Sequence, residues 1–263
     1  MLMVFSAGGF LIAGWRWIGN LRLARHLEVS QVVRGALWGV PLLCAGGMFA
    51  GLFWWADPEV RGNWLYLALL ILLGCTGLGI ATLCFEWLGL GLRSDALEAN
   101  NSAAAIAWSG AMFGFLAAYA GGNAGAGSSL WQNVFSDCLA EGALLGSWLL
   151  LELGWRTSSS VTLERDLASG IRNAGFLAAA GLVCGRAVAG DWHSALETLH
   201  DFARAGWTLV VLIAFAGAAE STLRPNARQI APSIWTHGVC PATVCLLLAA
   251  AWLVFLGPWE GHQ

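Results

Sequence analysis

The sequence predicts an all-α fold, a polytopic integral membrane bundle of about eight transmembrane helices. Of the 263 residues, 58% are hydrophobic and only 11% are charged, whereas soluble globular domains carry about 25% charged residues. Two runs, residues 65–85 and 239–258, contain no charge at all and reach the length of roughly 20 residues that a membrane span requires. The net charge of −3, without a basic cluster, does not favour a nucleic-acid partner.

Charged and Gly/Ser-rich interruptions divide the apolar sequence into eight predicted spans. In the first, the arginines follow the apolar run instead of preceding it, which favours a retained helix over a cleaved signal peptide. The predicted spans are 1–18, 31–55, 63–90, 101–122, 131–155, 167–190, 205–222 and 233–257.

The arginines are unevenly distributed between the predicted connections. The connections after the first, third, fifth and seventh spans, counted with the helical turns next to them, hold ten of them, against three in and around the alternate connections. Because cytoplasmic loops of membrane proteins are enriched in Lys and Arg, this distribution predicts that these four connections are cytoplasmic and that both termini are periplasmic.

The chain resembles itself at a shift of about 70 residues. That shift places Trp17 on Trp87 and Glu28 on Glu98. These matches predict four pseudo-repeats, each a helix, a polar connection and a second helix. Paired, the repeats predict two four-helix membrane units, residues 1–124 and 125–263.

The stretch LEANNSAAAIAWSGAMFG, residues 97–114, combines an acid, two asparagines and a helix of small residues. With Glu98, Asn100 and Asn101 in place, it resembles the bacterial YjfL-like membrane proteins, domain-of-unknown-function family 350. The stretch LERDLASGIRNAGFLAAAGLVCGRAVAGDW resembles a second copy, with Asp166 at the usual asparagine and Arg172 as an added charge.

The resemblance implies a tandem copy of that family's domain in the bacterial inner (plasma) membrane. The family has no established activity, and its members are often encoded beside envelope-stress proteins and glutathionylspermidine-type ligases. The partners that the resemblance implies are therefore the lipid bilayer and other membrane or cytoplasmic envelope-stress proteins.

Six polar residues lie around the starts of the fourth and sixth predicted spans, the second helices of their pairs, and we call them the polar step. As helix caps they would satisfy free backbone N–H groups, with carboxylates near the positive end of the helix dipole. The alternative is a cytoplasmic polar site that holds a partner or a cation. The polar step comprises Glu98, Asn100, Asn101, Glu164, Asp166 and Arg172.

Small residues recur every fourth position in the fourth and sixth spans. Such faces let helix backbones approach closely within a membrane, so they predict tight packing inside the chain or, alternatively, self-association into a homo-oligomer. The candidate packing residues are Gly110, Gly114, Ala118, Gly181 and Gly185.

Acidic residues inside or at the ends of spans are candidates for a transport path or for structural pairing. Asp137 and Glu141, one turn apart in the fifth span, could line a cation path or be solvated near its outer end. Glu152 precedes Arg156 by four residues, and Glu220 precedes Arg224 likewise, which favours ion pairs at those spacings.

The segment 191–206 is predicted to form an amphipathic helix with His193, Glu197 and His200 on one face. This spacing could hold zinc, but the polar face of an interfacial helix has the same pattern. The seven cysteines show no CxxC pair and are interpreted as small apolar residues.

No nucleophile elbow, metalloprotease or phosphate-loop motif is present in the sequence. We therefore expect a non-enzymatic membrane platform without a cofactor, a component of an envelope-stress or modification system. The alternative is a channel or transporter for a small cation or polar solute, since internal repeats are common in transporters.

Overall fold

The computed structural model describes residues 2–126, 129–224 and 233–257, which form helices and no β-strand. The predicted all-α class is confirmed. The helices are α1 (Leu2–His26), α2 (Gln31–Trp55), α3 (Pro58–Gly62), α4 (Trp64–Trp87), α5 (Ser102–Gly122), α6 (Leu130–Trp155), α7 (Thr157–Thr162), α8 (Leu167–Val188), α9 (Ala195–Gly206), α10 (Thr208–Leu223) and α11 (Cys240–Leu256), with short π-helices at Leu92–Glu98 and Trp235–Val239.

Six helical segments of the described chain are long and apolar enough to cross a membrane. They are α2, α4, α5, α6, α8 and the continuous π-helix and α11 segment. The helices α9 and α10, bent by 43° at their junction, make a seventh if the pair is one span. The protein is therefore a multi-pass membrane protein, with six or seven such spans where the sequence predicts eight.

The difference in number arises at two of the predicted spans. The first, 1–18, lies in α1, which is not among the six segments that qualify. The seventh, 205–222, corresponds to α10, whose 16 residues extend about 24 Å at 1.5 Å per residue. That length is shorter than a bilayer core of about 30 Å, so α10 needs α9 to complete a span.

Four helices, α2, α5, α8 and α11, run parallel in one row, each packed against the next. The connecting helices run the other way beside the row: α1 packs on α4, and α6 packs on α5, α8 and α10. The boundary between the two predicted units, at residues 124 and 125, falls in the connection between α5 and α6.

We call the end at which α2, α5 and α8 begin the amino end of the row, and the opposite end the carboxyl end. At the carboxyl end, neighbouring helices are joined through their backbones. The N–H of Gly125 donates to the carbonyl of Trp55 at 3.2 Å, and the N–H of Gly190 donates to that of Ala124 at 3.0 Å. These bonds fix the relative height of α2, α5 and α8.

A proline inside α2 ties this helix to α1. Pro41 has no N–H, so the carbonyl of Leu37, four residues earlier, lacks its helical partner. The indole Nε1 of Trp17 donates to that carbonyl at 2.9 Å. The carbonyl that Pro41 leaves free in α2 is therefore used for a hydrogen bond to α1.

Candidate functional site

Asn101 and Asp166 begin α5 and α8 as N-caps. The Asn101 carbonyl oxygen accepts from the N–H groups of Ala103 and Ala104 at 2.9 and 3.2 Å. Asp166 accepts from the backbone N–H and the hydroxyl of Ser169 at 2.7 and 2.6 Å. Both residues therefore satisfy free N–H groups of the first helical turn.

Asn101 also links α5 to the connection that precedes α8. Its Nδ2 donates to the carbonyl of Val161 at 2.8 Å, in buried surroundings. One amide side chain thus starts a helix and binds the neighbouring repeat, which an aspartate at the same position could not do because it has no N–H donor.

Asn100 performs the corresponding task between α5 and α2. Its backbone is left-handed, with a φ of 47°, a conformation that asparagine tolerates better than most residues. Its side chain accepts from the N–H of Ser30 at 2.8 Å and donates to the carbonyl of Glu28 at 3.3 Å. Asn100 therefore positions the first turn of α2, whose N-cap is Ser30.

We predict that Asn101→Ala lowers the free energy of unfolding by about 1–2 kcal/mol, because it removes a helix cap and a buried cross-link together. Asn101→Asp should be intermediate, since it keeps the cap acceptor and loses the donor to Val161. Steric trapping in lipid bicelles measures these free energies. Asn63→Ala, which removes only the exposed cap of α4, is the matched control; an equal loss there would contradict the cross-linking role.

Arg172 is the most deeply buried charge of the polar step. Its guanidinium pairs with Glu220 of α10 at 2.9 Å, and the two side chains are 4% and 7% exposed. The same guanidinium donates to the carbonyl of His237 and, at 2.9 Å, to the hydroxyl of Ser169. Arg172 therefore joins α8, α10 and the π-helix before α11, and neutralises a carboxylate within the span.

The two ion pairs expected from i,i+4 spacing are wrong. The Glu152 carboxylate accepts from the Thr157 hydroxyl at 3.0 Å and from the Ser158 N–H at 2.9 Å, capping α7, because the chain turns at Arg156 into a left-handed conformation. Glu220 pairs with Arg172 across the bundle, since a buried carboxylate requires a buried partner.

The remaining acids of the polar step form exposed ion pairs. Glu98 pairs with Arg93 at 2.8 Å within its own π-helical connection. Glu164 pairs with Arg224, which follows α10, at 3.1 Å. The polar step is thus distributed along the amino end of the row as local pairs and caps and does not form one cluster.

All three non-glycine residues with positive φ in the described chain lie at the amino end of the row. Besides Asn100, they are Arg156 and Arg165, with φ values of 50° and 55°. Both arginine side chains are exposed. A left-handed backbone costs about 1–2 kcal/mol for an ordinary L-residue, and such conformations cluster at functional sites.

A second polar group lies at the carboxyl end of the row. Asp137 of α6 is buried, and the Nδ2 of Asn123 donates to its two carboxylate oxygens at 2.9 and 3.1 Å. Glu141 follows one turn later and is half-buried. The two predicted path residues therefore sit on one face of α6, and Asn123 joins the first of them to the end of α5.

A cavity of about 40 Å³ adjoins this group, lined by polar side chains that include Asn123, Ser136 and Asp191. The buried Oδ1 of Asn123 has no hydrogen-bond partner. Near Arg172 and Glu220 lies a second cavity of about 10 Å³, the size of about one water molecule. The two cavities share no lining residue, so the polar groups at the two ends line separate spaces.

The small residues of the fourth and sixth predicted spans face each other across the α5–α8 contact. A β-carbon at Gly181 would overlap the carbonyl oxygen of Gly114, and one at Gly185 would overlap that of Ala117. Gly110 lies against the backbone of Ala174 in the same way. The backbones of α5 and α8 are therefore in direct contact, with Ala118 fully buried among them.

Glu197 and His200 lie in the short helix α9, whose N-cap is Ser194, whereas His193 precedes the cap and lies outside the helix. The expectation that all three side chains share one helical face is therefore wrong, because the helix begins after His193. The Glu197 carboxylate accepts from the Ser194 hydroxyl at 3.3 Å. Within residues 2–126, 129–224 and 233–257, no three His, Cys, Asp or Glu side chains are grouped closely enough to hold a metal ion.

Several residues of these sites carry no signal in the sequence. Asn123 stands among glycines and alanines after α5, and Asn173 of α8 is buried with both amide atoms unpartnered beside Arg172. The partners of Arg172 lie 48 and 65 residues away. The one signal in the sequence was Arg172 itself, because a charge inside a membrane span without an obvious nearby partner is unusual.

Comparisons with known proteins leave the chain without a family assignment. No family model, no curated protein and no solved structure matches it.

Proposed function

We propose that this chain is a non-enzymatic docking platform of the bacterial inner membrane, a component of an envelope-stress or modification system. The observation that carries the proposal is the amino end of the row. It is a polar surface held by caps and cross-links, with two exposed arginines, Arg156 and Arg165, in left-handed conformations. The motif around Glu98, Asn100 and Asn101, which resembles the YjfL-like family, lies at the same end.

The amino end of the row is inferred to face the cytoplasm, with both termini in the periplasm. Ten of the 13 Arg residues of the sequence fall in the connections after the first, third, fifth and seventh predicted spans or in the helical turns next to them, as expected for cytoplasmic loops. Guanidinium groups recognise carboxylates and phosphates through bidentate hydrogen bonds. A partner that docks here would therefore present acidic or phosphorylated groups.

The internal repeat supports a rigid scaffold. Several cross-links join residues 70 positions apart: Arg16 pairs with Glu86 at 2.9 Å, and the N–H of Ser30 donates to Asn100. The hydroxyl of Thr76 likewise donates to the carbonyl of Ser6. We infer that successive helix pairs are equivalent units laid side by side, which keeps their connections in fixed relative positions.

We expect that the double substitution Arg156→Asn and Arg165→Asn abolishes partner capture without unfolding the protein. Asparagine tolerates the left-handed backbone, so the change removes surface charge and keeps the fold. Affinity capture from native membranes, quantified by mass spectrometry, compares this variant with the wild type. Arg204→Asn, an exposed arginine on α9, is the matched control.

The same variants are then tested for growth under envelope stress in a strain that lacks the gene. The wild type and Arg204→Asn should restore growth, and the double variant should not. The proposal is refuted if the wild type enriches no protein over matched controls, or if the double variant captures the same proteins and restores growth.

The second candidate is a channel or transporter for a small cation. The observation that favours it is the buried Asp137 beside Asn123, whose Oδ1 is unpartnered, next to a polar cavity. Intramembrane acids commonly mark ion pathways. Flux into proteoliposomes should then fall with Asp137→Asn and with Glu141→Gln; flux equal to that of empty vesicles removes this candidate.

A further inference from the structure

A chamber of about 320 Å³ opens between α1, α2, α4 and α5, in the half of the molecule away from Arg172. Its walls are mainly apolar and include Phe10, Leu42, Leu78 and Met112. The exposed side chains of Phe10 and Leu42 lie at its rim, so the chamber opens sideways toward the lipid. Its volume lies within the range of about 300–1,000 Å³ that is usual for ligand sites.

A polar space of about 450 Å³ adjoins the chamber at the amino end of the row. Arg16, Asn20 and Glu86 line both spaces, so an elongated molecule could extend from one to the other. The polar space also contains the Arg93–Glu98 ion pair. Two guanidinium groups and two carboxylates therefore surround it, within partly exposed pairs that are weak in solvent.

Trp108 contributes part of its ring to the chamber wall, whereas its indole Nε1 is buried in the protein and not accessible from the chamber. The residue is 2% exposed, and its Nε1 makes no hydrogen bond. Trp108 lies six residues after the start of α5, which corresponds to a depth of about 9 Å below the amino end.

We propose that the chamber and the polar space together bind one glycerophospholipid with a primary-amine headgroup. An acyl chain fills the chamber and packs against its apolar side chains, including the ring of Trp108. The phosphate accepts from the guanidinium groups of Arg16 and Arg93, and the ammonium group donates to the carboxylates of Glu86 and Glu98.

The paired charges select this headgroup by their chemistry. An ammonium group offers three N–H donors to the two carboxylates, and a quaternary choline head offers none. A glycerol head carries no cation and would leave both carboxylates facing a phosphate. A preference for ethanolamine over choline and glycerol heads is therefore expected to reach about tenfold, the equivalent of one charge-assisted hydrogen bond.

The test uses the purified, delipidated full-length protein and native mass spectrometry. Phosphatidylethanolamine, phosphatidylcholine and phosphatidylglycerol with identical acyl chains are titrated separately. The wild type is expected to retain one phosphatidylethanolamine with the preference stated above. Equal affinity for all three lipids, or no retained lipid, overturns the proposal.

Gly14→Phe is designed to fill the chamber. Gly14 lines the chamber, and a β-carbon there meets no atom within 4 Å, so the ring has space to enter. We expect lipid affinity to fall at least about tenfold. Gly46→Phe is the matched control: its β-carbon is equally unobstructed, but Gly46 lines neither space. Unchanged affinity in Gly14→Phe, or an equal fall in both variants, contradicts the site.

A second measurement needs no variant and covers the case in which Gly14→Phe fails to fold. Cys75 lines the chamber, whereas Cys138 is exposed on α6. Phosphatidylethanolamine should slow N-ethylmaleimide labelling of Cys75 and leave that of Cys138 unchanged, as read by peptide mass mapping. Protection of neither cysteine, or a dimer that protects Cys75 without lipid, overturns the proposal.

Discussion

Arg172→Met is expected to lower the free energy of unfolding by about 3–5 kcal/mol, because it leaves the Glu220 carboxylate buried without a counter-charge. The two side chains form an ion pair of 2.9 Å at 4% and 7% exposure. Loss of the bonds to the carbonyl of His237 and the hydroxyl of Ser169 adds to the effect. Steric trapping in bicelles measures the change.

The matched control is Arg93→Met, which breaks an exposed ion pair with Glu98 and should cost less than about 1 kcal/mol. The double variant Arg172→Met/Glu220→Leu should recover most of the loss, since replacing both charges leaves no uncompensated ion. A cost for Arg172→Met no greater than that for Arg93→Met, or no recovery in the double variant, would contradict the assigned network.

Gly181→Ala is expected to destabilise the protein by roughly 1–3 kcal/mol, although alanine is the better helix former. Its β-carbon would overlap the carbonyl oxygen of Gly114, so α5 and α8 would have to separate. Because these two helices form the central contact of the row, the separation would loosen both halves of the molecule.

Gly146→Ala is expected to change the stability in the opposite direction. Gly146 lies in α6, and a β-carbon there meets no atom within 4 Å. Replacing a helical glycine by alanine without a clash stabilises by about 0.5–1 kcal/mol. The unfolding temperatures of both variants, measured in the same detergent, should shift in opposite directions from that of the wild type. Stabilisation in Gly181→Ala would exclude the close α5–α8 contact.

The polar step illustrates how far local sequence patterns reach. A polar residue before a run of apolar and small residues predicts a helix cap, and Asn101 and Asp166 indeed cap α5 and α8. The i,i+4 rule wrongly predicts that Glu220 pairs with Arg224. That rule describes neighbours on one isolated helix, whereas Glu220 is buried against α8.

No pattern in the sequence predicts which residues line the chamber and the polar space. The lining combines residues from α1, α2, α4, α5 and the π-helix Leu92–Glu98, and Arg16 and Glu86, which line both its polar and its apolar part, are 70 positions apart. In the sequence, nothing distinguishes Trp108 from the other 15 tryptophans. Only the packed bundle places its ring in the chamber wall.

By itself, the sequence determined the all-α class and the starts of α2, α5 and α8, because span length and helix caps depend on residues close together in the chain. The tertiary structure alone decided that α9 and α10 meet at a bend of 43°, that Arg172 neutralises Glu220, and that Asn123 joins Asp137. These features depend on which helices become neighbours, and that choice is made by backbone contact between small residues far apart in the chain.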